Sequence, residues 1–160
     1  METSIRVEQL CKSYQGTTVV KNISFQVNKG EIFAFLGPNG AGKSTTISIL
    51  STLLKKDSGT VIINGFRLGQ EDERIRSGIG IVFQNSVLDD LLSVKQNLIL
   101  RSALYHLPYK QACRRVQKLC DICDLHDIMH QPVGTLSGGQ RRRCDIARAL
   151  IPAPEILILD

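Results

Sequence analysis

The sequence predicts an α/β fold built from an antiparallel β segment, a glycine loop set between a strand and a helix, and a largely helical second half. Three observations predict it. Apolar residues alternate at Ile5 and Val7 and again at Ile23, Phe25 and Val27, the period of half-buried strands. A continuous apolar run, Ile32 to Leu36, leads into the glycine-rich stretch Gly37 to Thr45. Helical spacing of apolar residues then recurs between residues 93 and 151.

Taken in order, the first two strands are joined by a turn at Gln15-Gly16 and pair antiparallel. Ile32 to Leu36 reads as a strand buried on both faces of a sheet. From Lys43, residues Thr46, Ile49, Leu50, Leu53 and Leu54 fall on one helical stripe, which Asp57-Ser58-Gly59 stops. A strand follows at Thr60 to Ile63, then a short polar helix over Gln70 to Ser77, then a strand from Ile79 to Phe83. Ser93 and Gln96 have capping-box spacing and start a helix with Val94, Leu98 and Tyr105 on its apolar side. Pro108 separates it from a helix over about Lys110 to Leu125, with Ala112, Val116, Leu119 and Cys123 on one face. Another helix begins after Ser137 and stops at Pro152, and Ile156 to Leu159 forms a last buried strand. There is no internal repeat and no low-complexity linker.

Composition narrows the function classes. The chain of 160 residues suits one domain, able to bury about 70% of the surface its unfolded form exposes. It is 42% hydrophobic and 22% charged, with mean hydropathy near zero, as in a globular protein. The longest apolar runs fall far short of the ~20 residues that cross a bilayer. Glu2, Arg6 and Glu8 interrupt the N-terminus before any signal-peptide core, and five scattered cysteines suit a reducing compartment, so the expected location is cytoplasmic. A net charge of +5 invites a nucleic-acid reading, but aromatics are only 5%, tryptophan is absent and the basic residues are dispersed. No nucleic-acid partner is expected.

The sharpest chemical signal is GPNGAGKST, Gly37, Pro38, Asn39, Gly40, Ala41, Gly42, Lys43, Ser44 and Thr45. It satisfies the G-x-x-x-x-G-K-[ST] spacing between a predicted strand and a predicted helix. Glycines let successive backbone N–H groups turn toward phosphate oxygens, and the helix start adds a positive end. Lys43 is placed to reach the β and γ phosphates of a nucleotide, and the Ser44 hydroxyl to ligate Mg²⁺. A second signal is LSGGQ, Leu136 to Gln140, where Ser137 and Gln140 have capping-box spacing and Gly138 and Gly139 leave the helix start bare. Taken alone, it is equally a plain helix start.

The order of these motifs, a phosphate loop, Gln84 after a strand, LSGGQ, then an apolar strand ending in Asp160, resembles that of ABC transporter ATPases over essentially the whole chain. The resemblance implies a P-loop NTPase core with an antiparallel β subdomain and an α-helical subdomain at roughly residues 86–135. It implies that Lys43 and Ser44 belong to the Walker A motif, Gln84 to the Q-loop, Ser137, Gly138, Gly139 and Gln140 to the signature motif, and Asp160 to Walker B. Lys43, Gln84 and Asp160 would then be catalytic; Ser44, Gln84 and Asp160 would serve Mg²⁺; and Tyr14 would stack on adenine. The implied partners are an integral membrane transporter subunit and a second nucleotide-binding domain, a homodimer in which the signature motif of one copy faces the ATP held by the other. The protein would then lie on the inner face of the cell membrane through its partner. The segments VFQNSVLDDLLSVKQNL and LSGGQRRRCDIARAL look like the drug-resistance or ABC-2 type exporter branch.

Beyond Asp160 the family pattern would continue with a glutamate general base and a switch histidine. Neither lies within these residues, since His106, His126 and His130 precede or flank the signature region. A positioned general base contributes about 10²–10⁴ in rate, so the expectation is an incomplete domain that binds ATP and hydrolyses it slowly. Two alternatives stay open: a soluble ABC-type ATPase acting on nucleic acid or ribosomes, and a non-hydrolytic ATP-binding module. Cys120, Cys123, His126 and His130 are metal-ligand types in close succession, but on one helix they do not converge tetrahedrally. Arg141 to Arg143 reads as a solvated helix face.

Overall fold

The alternation at Ile5 and Val7, carried on to Leu10 across an irregularity at Gln9, produces β1, Thr3–Tyr14, which runs antiparallel to β2, Thr17–Asn28. The structure, a computed structural model, describes residues 2–160 and divides into two compact units, Met1–Ile79 and Gly80–Asp160. The turn at Gln15-Gly16 forms as expected. Both residues have positive φ, 47° and 82°, the left-handed pair a type I′ hairpin needs, and glycine takes the second position without a Cβ penalty.

In the first unit β1 also pairs antiparallel with β3, Ser58–Ile63, and β3 pairs with β4, Phe66–Arg67, giving the order β2-β1-β3-β4. Val7 lies opposite Phe25 on one side and Val61 on the other. Val7, Leu10, Val61 and Ile63 are almost solvent-free, as are Ile49 and Leu50 of α1, Lys43–Leu50. Burying each such side chain contributes about 1.5–3 kcal/mol. A short helix, α2, Asp72–Gly78, buries Ile75.

Two expectations for this unit are corrected. The helix stripe does not reach Leu54: Thr52 takes a left-handed φ of 61°, and the Leu53 N–H bonds back to the Ser48 carbonyl at 2.9 Å, a Schellman-like closure that leaves Leu53 exposed. Ile32 to Leu36 takes no regular secondary structure and pairs with no strand among the described residues. A strand buried on both faces needs a cover on each face. Here Phe33 and Phe35 gather around Phe25 of β2, with ring centroids 5.0–5.2 Å apart, while Ile32 and Leu36 face solvent at 101% and 91% exposure.

The second unit joins a two-stranded sheet, β5 (Ile79–Val82) and β6 (Ile156–Leu159), to three helices, α3 (Val94–Ala103), α4 (Tyr109–Cys123) and α5 (Gly138–Leu150). The capping box at Ser93 forms in full, with the Gln96 N–H on the Ser93 hydroxyl at 3.2 Å and the Ser93 N–H on Gln96 Oε1 at 2.8 Å. Val94, Leu98, Val116, Leu119, Leu125 and Ala147 make one core, to which all three helices contribute. Tyr105 lies past the end of α3 and is exposed, so it does not extend that stripe. β6 is not a fully buried strand either: among the described residues it pairs with β5 alone, and Leu159 remains 56% exposed.

Candidate functional site

The phosphate-type loop lies in the first unit and ends at α1. Gly40 and Gly42 have φ of 83° and 81°. At Gly42 an added Cβ would stand 2.7 Å from the Val19 carbonyl oxygen and 3.2 Å from Val20 Cγ2, so both conformation and space require glycine. From that seat the Gly42 carbonyl accepts the Thr46 N–H at 2.9 Å and the Thr46 hydroxyl at 2.8 Å, fixing the first turn of α1. No side chain caps this helix and no acidic residue sits in its first turn. Its leading N–H groups and the positive end of its dipole are therefore available to an anion. Lys43 folds back so that its ammonium donates to the carbonyls of Gly37 and Pro38, both at 2.7 Å, which sets a cation across the loop. Ser44 is exposed beside it. A polyphosphate fits this donor set, and the exposed Ser44 hydroxyl fits a phosphate-bound Mg²⁺.

Tyr14 ends β1, 45% exposed, with Lys12 Nζ 5.6 Å from its ring centroid. Lys12 in turn donates to Asp57 Oδ1 at 2.6 Å, and Asp57 Oδ2 accepts the Ser13 N–H at 2.7 Å. The Lys12 hydrogen bond, then the Ser13 N–H, hold the Asp57 carboxyl below the usual carboxylate range.

The remaining candidate residues lie in the second unit. Gln84 is exposed, two residues past the end of β5, and Asp160 follows β6, its N–H donating to the Val82 carbonyl at 2.9 Å. The structure thus brings the ends of β5 and β6 side by side. Ser137 caps α5: the Gln140 N–H donates to its hydroxyl at 3.3 Å, and the Ser137 N–H donates to Gln140 Oε1 at 2.9 Å. Gly138 and Gly139 form the exposed start of that helix, and an added Cβ on either would meet nothing within 4 Å.

The arginines after the signature motif are not a solvated face. Arg141 donates to the Val133 carbonyl at 3.2 Å and pairs with Asp90 at 2.9 Å, and Arg143 pairs with Asp124. Arg142 donates to the main-chain oxygens of Phe83 at 2.6 Å and Asp160 at 2.9 Å. Further along α5, buried Asp145 accepts the Ser86 hydroxyl at 3.0 Å, while Arg148 donates to the Ile81 carbonyl and lies 5.8 Å from the Phe83 ring centroid. Burial lowers the Arg148 guanidinium pKa, and the Asp145 charge opposes that shift. The sequence carried one signal for this face, the spacing of positions 142, 145 and 148, which places them along one side of a helix.

His126 Nε2 lies 3.0 Å from Asp121, and among the described residues no three His, Cys, Asp or Glu side chains gather as a metal site. No helix among them is long and apolar enough to cross a membrane.

Comparison with known proteins identifies the family. The profile of the ABC transporter family matches residues 20–160. The linearmycin resistance ATP-binding protein LnrL of Bacillus subtilis is 40% identical over 156 residues, 98% of this chain and 50% of that protein. The daunorubicin resistance ATP-binding protein DrrA3 of Streptomyces coeruleorubidus is 38% identical over 159 residues, 99% of this chain and 50% of that protein. The chain thus spans about half the length of the curated relatives it matches. Among solved structures, cbiO1 of Clostridium perfringens, part of the ABC transporter complex cbiONQ, superposes with a TM-score of 0.90 at 31% identity, covering 100% of this chain and 66% of that one. By its family profile, its relatives and its fold, the chain belongs to the ABC transporter family.

Proposed function

We propose that this chain is the ATP-binding part of an exporter, using ATP to drive a separate integral membrane subunit from the cytoplasmic side. The observation that carries the reading is the phosphate loop: an uncapped helix start held on Gly42, with the Lys43 ammonium drawn across it. In this reading Lys43 and the N–H groups of Gly40 to Thr45 hold the β and γ phosphates of ATP, and Tyr14 stacks on the adenine ring. Ser44 ligates Mg²⁺, and Gln84 and Asp160 take the metal-related roles that the order of motifs implies. The metal, when bound, neutralises charge that builds on the phosphates during transfer.

Ser137, Gly138, Gly139 and Gln140 act on the ATP of a second copy, so that ATP joins the two. The bare glycines support this role, because they leave the α5 start open to a phosphate of a partner. Export is supported by the resistance proteins among the relatives, whose printed names concern linearmycin, daunorubicin and doxorubicin.

Equilibrium binding of a fluorescent ATP analogue tests the reading. Lys43→Ala should weaken binding by about tenfold or more, because it removes a charge-assisted contact to phosphate, and it should leave the folded protein intact. Wild-type protein that ignores ATP at millimolar concentration, or a Lys43→Ala variant that binds as tightly as wild type, would sink it.

A further inference from the structure

We infer that Arg142 is a positioning residue that sets the backbone at Gln84 and Asp160 and fastens both to the helix that carries the signature motif. The inference rests on the proposed roles of Gln84 and Asp160, and its structural part stands on Arg142 itself. One guanidinium reaches two strand ends, with Nη1 on the Phe83 oxygen at 2.6 Å and Nη2 on the Asp160 oxygen at 2.9 Å. The Phe83 carbonyl belongs to the peptide plane that delivers the Gln84 N–H. Holding that plane limits where the Gln84 side chain can point. The Asp160 main-chain oxygen accepts from the other arm of the same guanidinium, while the Asp160 N–H is tied to Val82 at 2.9 Å.

The planar fork of arginine makes this a fixed spacer between two carbonyls, which a lysine ammonium on a flexible stem cannot reproduce. Two neighbours on the same helix face grip the same segment on either side of Gln84. Asp145 holds Ser86, and Arg148 holds the Ile81 carbonyl. Arg142 lies only five positions after Ser137, about 7.5 Å along the helix axis. That length of α5 carries the proposed trans-acting start and the metal-side end as one rigid piece. Any shift of Ser137 on engaging a second copy therefore reaches Gln84 and Asp160 through the Arg142 fork.

The test compares Arg142→Met, which keeps an apolar stem and removes the donors, with Arg142→Lys, in the intact protein. Two readouts are taken: hydrogen–deuterium exchange of each segment, and ATP affinity with Mg²⁺ and in EDTA. Arg142→Met should speed exchange at residues 82–86 and 158–160 on the order of tenfold, with α3 and α4 unchanged. It should leave affinity in EDTA near wild type while the gain conferred by Mg²⁺ falls by roughly threefold or more. Arg142→Lys should recover part of both. Unchanged exchange at those segments would overturn the inference, as would equal loss of affinity with and without Mg²⁺, the mark of a general structural role. Should the wild type bind no ATP, the proposed function fails and the exchange result alone decides on Arg142.

Discussion

Two helix starts in this chain are preceded or led by glycine, and they are finished in opposite ways. α1 begins at Gly42 with φ of 81°, no side-chain cap and a lysine folded over the loop. α5 begins at Ser137, whose hydroxyl and the Gln140 side chain satisfy two backbone donors between them. The first is left short of partners and so is ready for an anion; the second is stable by itself and presents only the bare edge of Gly138 and Gly139. A third start, α3 at Ser93, has the same capping box as α5 without the glycines. A capping box therefore marks where a helix begins and says nothing of what it does.

Glycine replacement separates the two starts most strongly. Gly42→Ala should destabilise by about 2–4 kcal/mol, since it combines a positive φ with a clash against the Val19 carbonyl, and thermal unfolding measures this. Gly138→Ala meets nothing and should change stability by less than about 1 kcal/mol, because helix propensity alone is at stake. Equal losses at the two positions would break the contrast. The caps come next in size. Ser137→Ala and Ser93→Ala should each cost about 1 kcal/mol by denaturant titration. Only the former should also weaken ATP-dependent dimerisation, measured by light scattering; a matching loss in Ser93→Ala would remove the special standing of α5.

The smallest effect concerns how firmly α5 is packed. Burial pushes the Cys144 thiol up to about 11, with the Asp145 charge adding to it. A raised acid pKa stabilises the fold fully below the ordinary thiol value, ~8.5, and that contribution is lost as pH climbs toward the folded value. Cys144 should therefore resist alkylation at pH 8 in folded protein, and the urea midpoint should fall slightly between pH 8 and 10.5. Rapid alkylation of Cys144 under native conditions would show α5 to be loosely held. The partly exposed Cys11 gives the reference rate.

Much of this was legible in the residues. The I′ turn at Gln15-Gly16, the α1 start at Lys43 and both capping boxes came from local chemistry, which is fixed over a few positions and overrides little. The failures have two causes. Ile32 to Leu36 and Ile156 to Leu159 are apolar enough for a buried strand, yet apolarity states only a demand for cover, and these stretches are covered on one side or partly. Tyr105 and Leu53 fit a helical stripe, but their helices had already ended for backbone reasons.

The sequence by itself determined the order of motifs, the glycine positions that a phosphate loop requires, and the family to which they point. These depend on residue type and spacing along the chain. Only tertiary structure decided what the arginines after the signature motif do. Arg142 meets Phe83 across 59 positions and Asp160 across 18. Carbonyl acceptors at such separations exist for a side chain only once β5, β6 and α5 have packed, because every residue has the same carbonyl and only folding chooses which one is near.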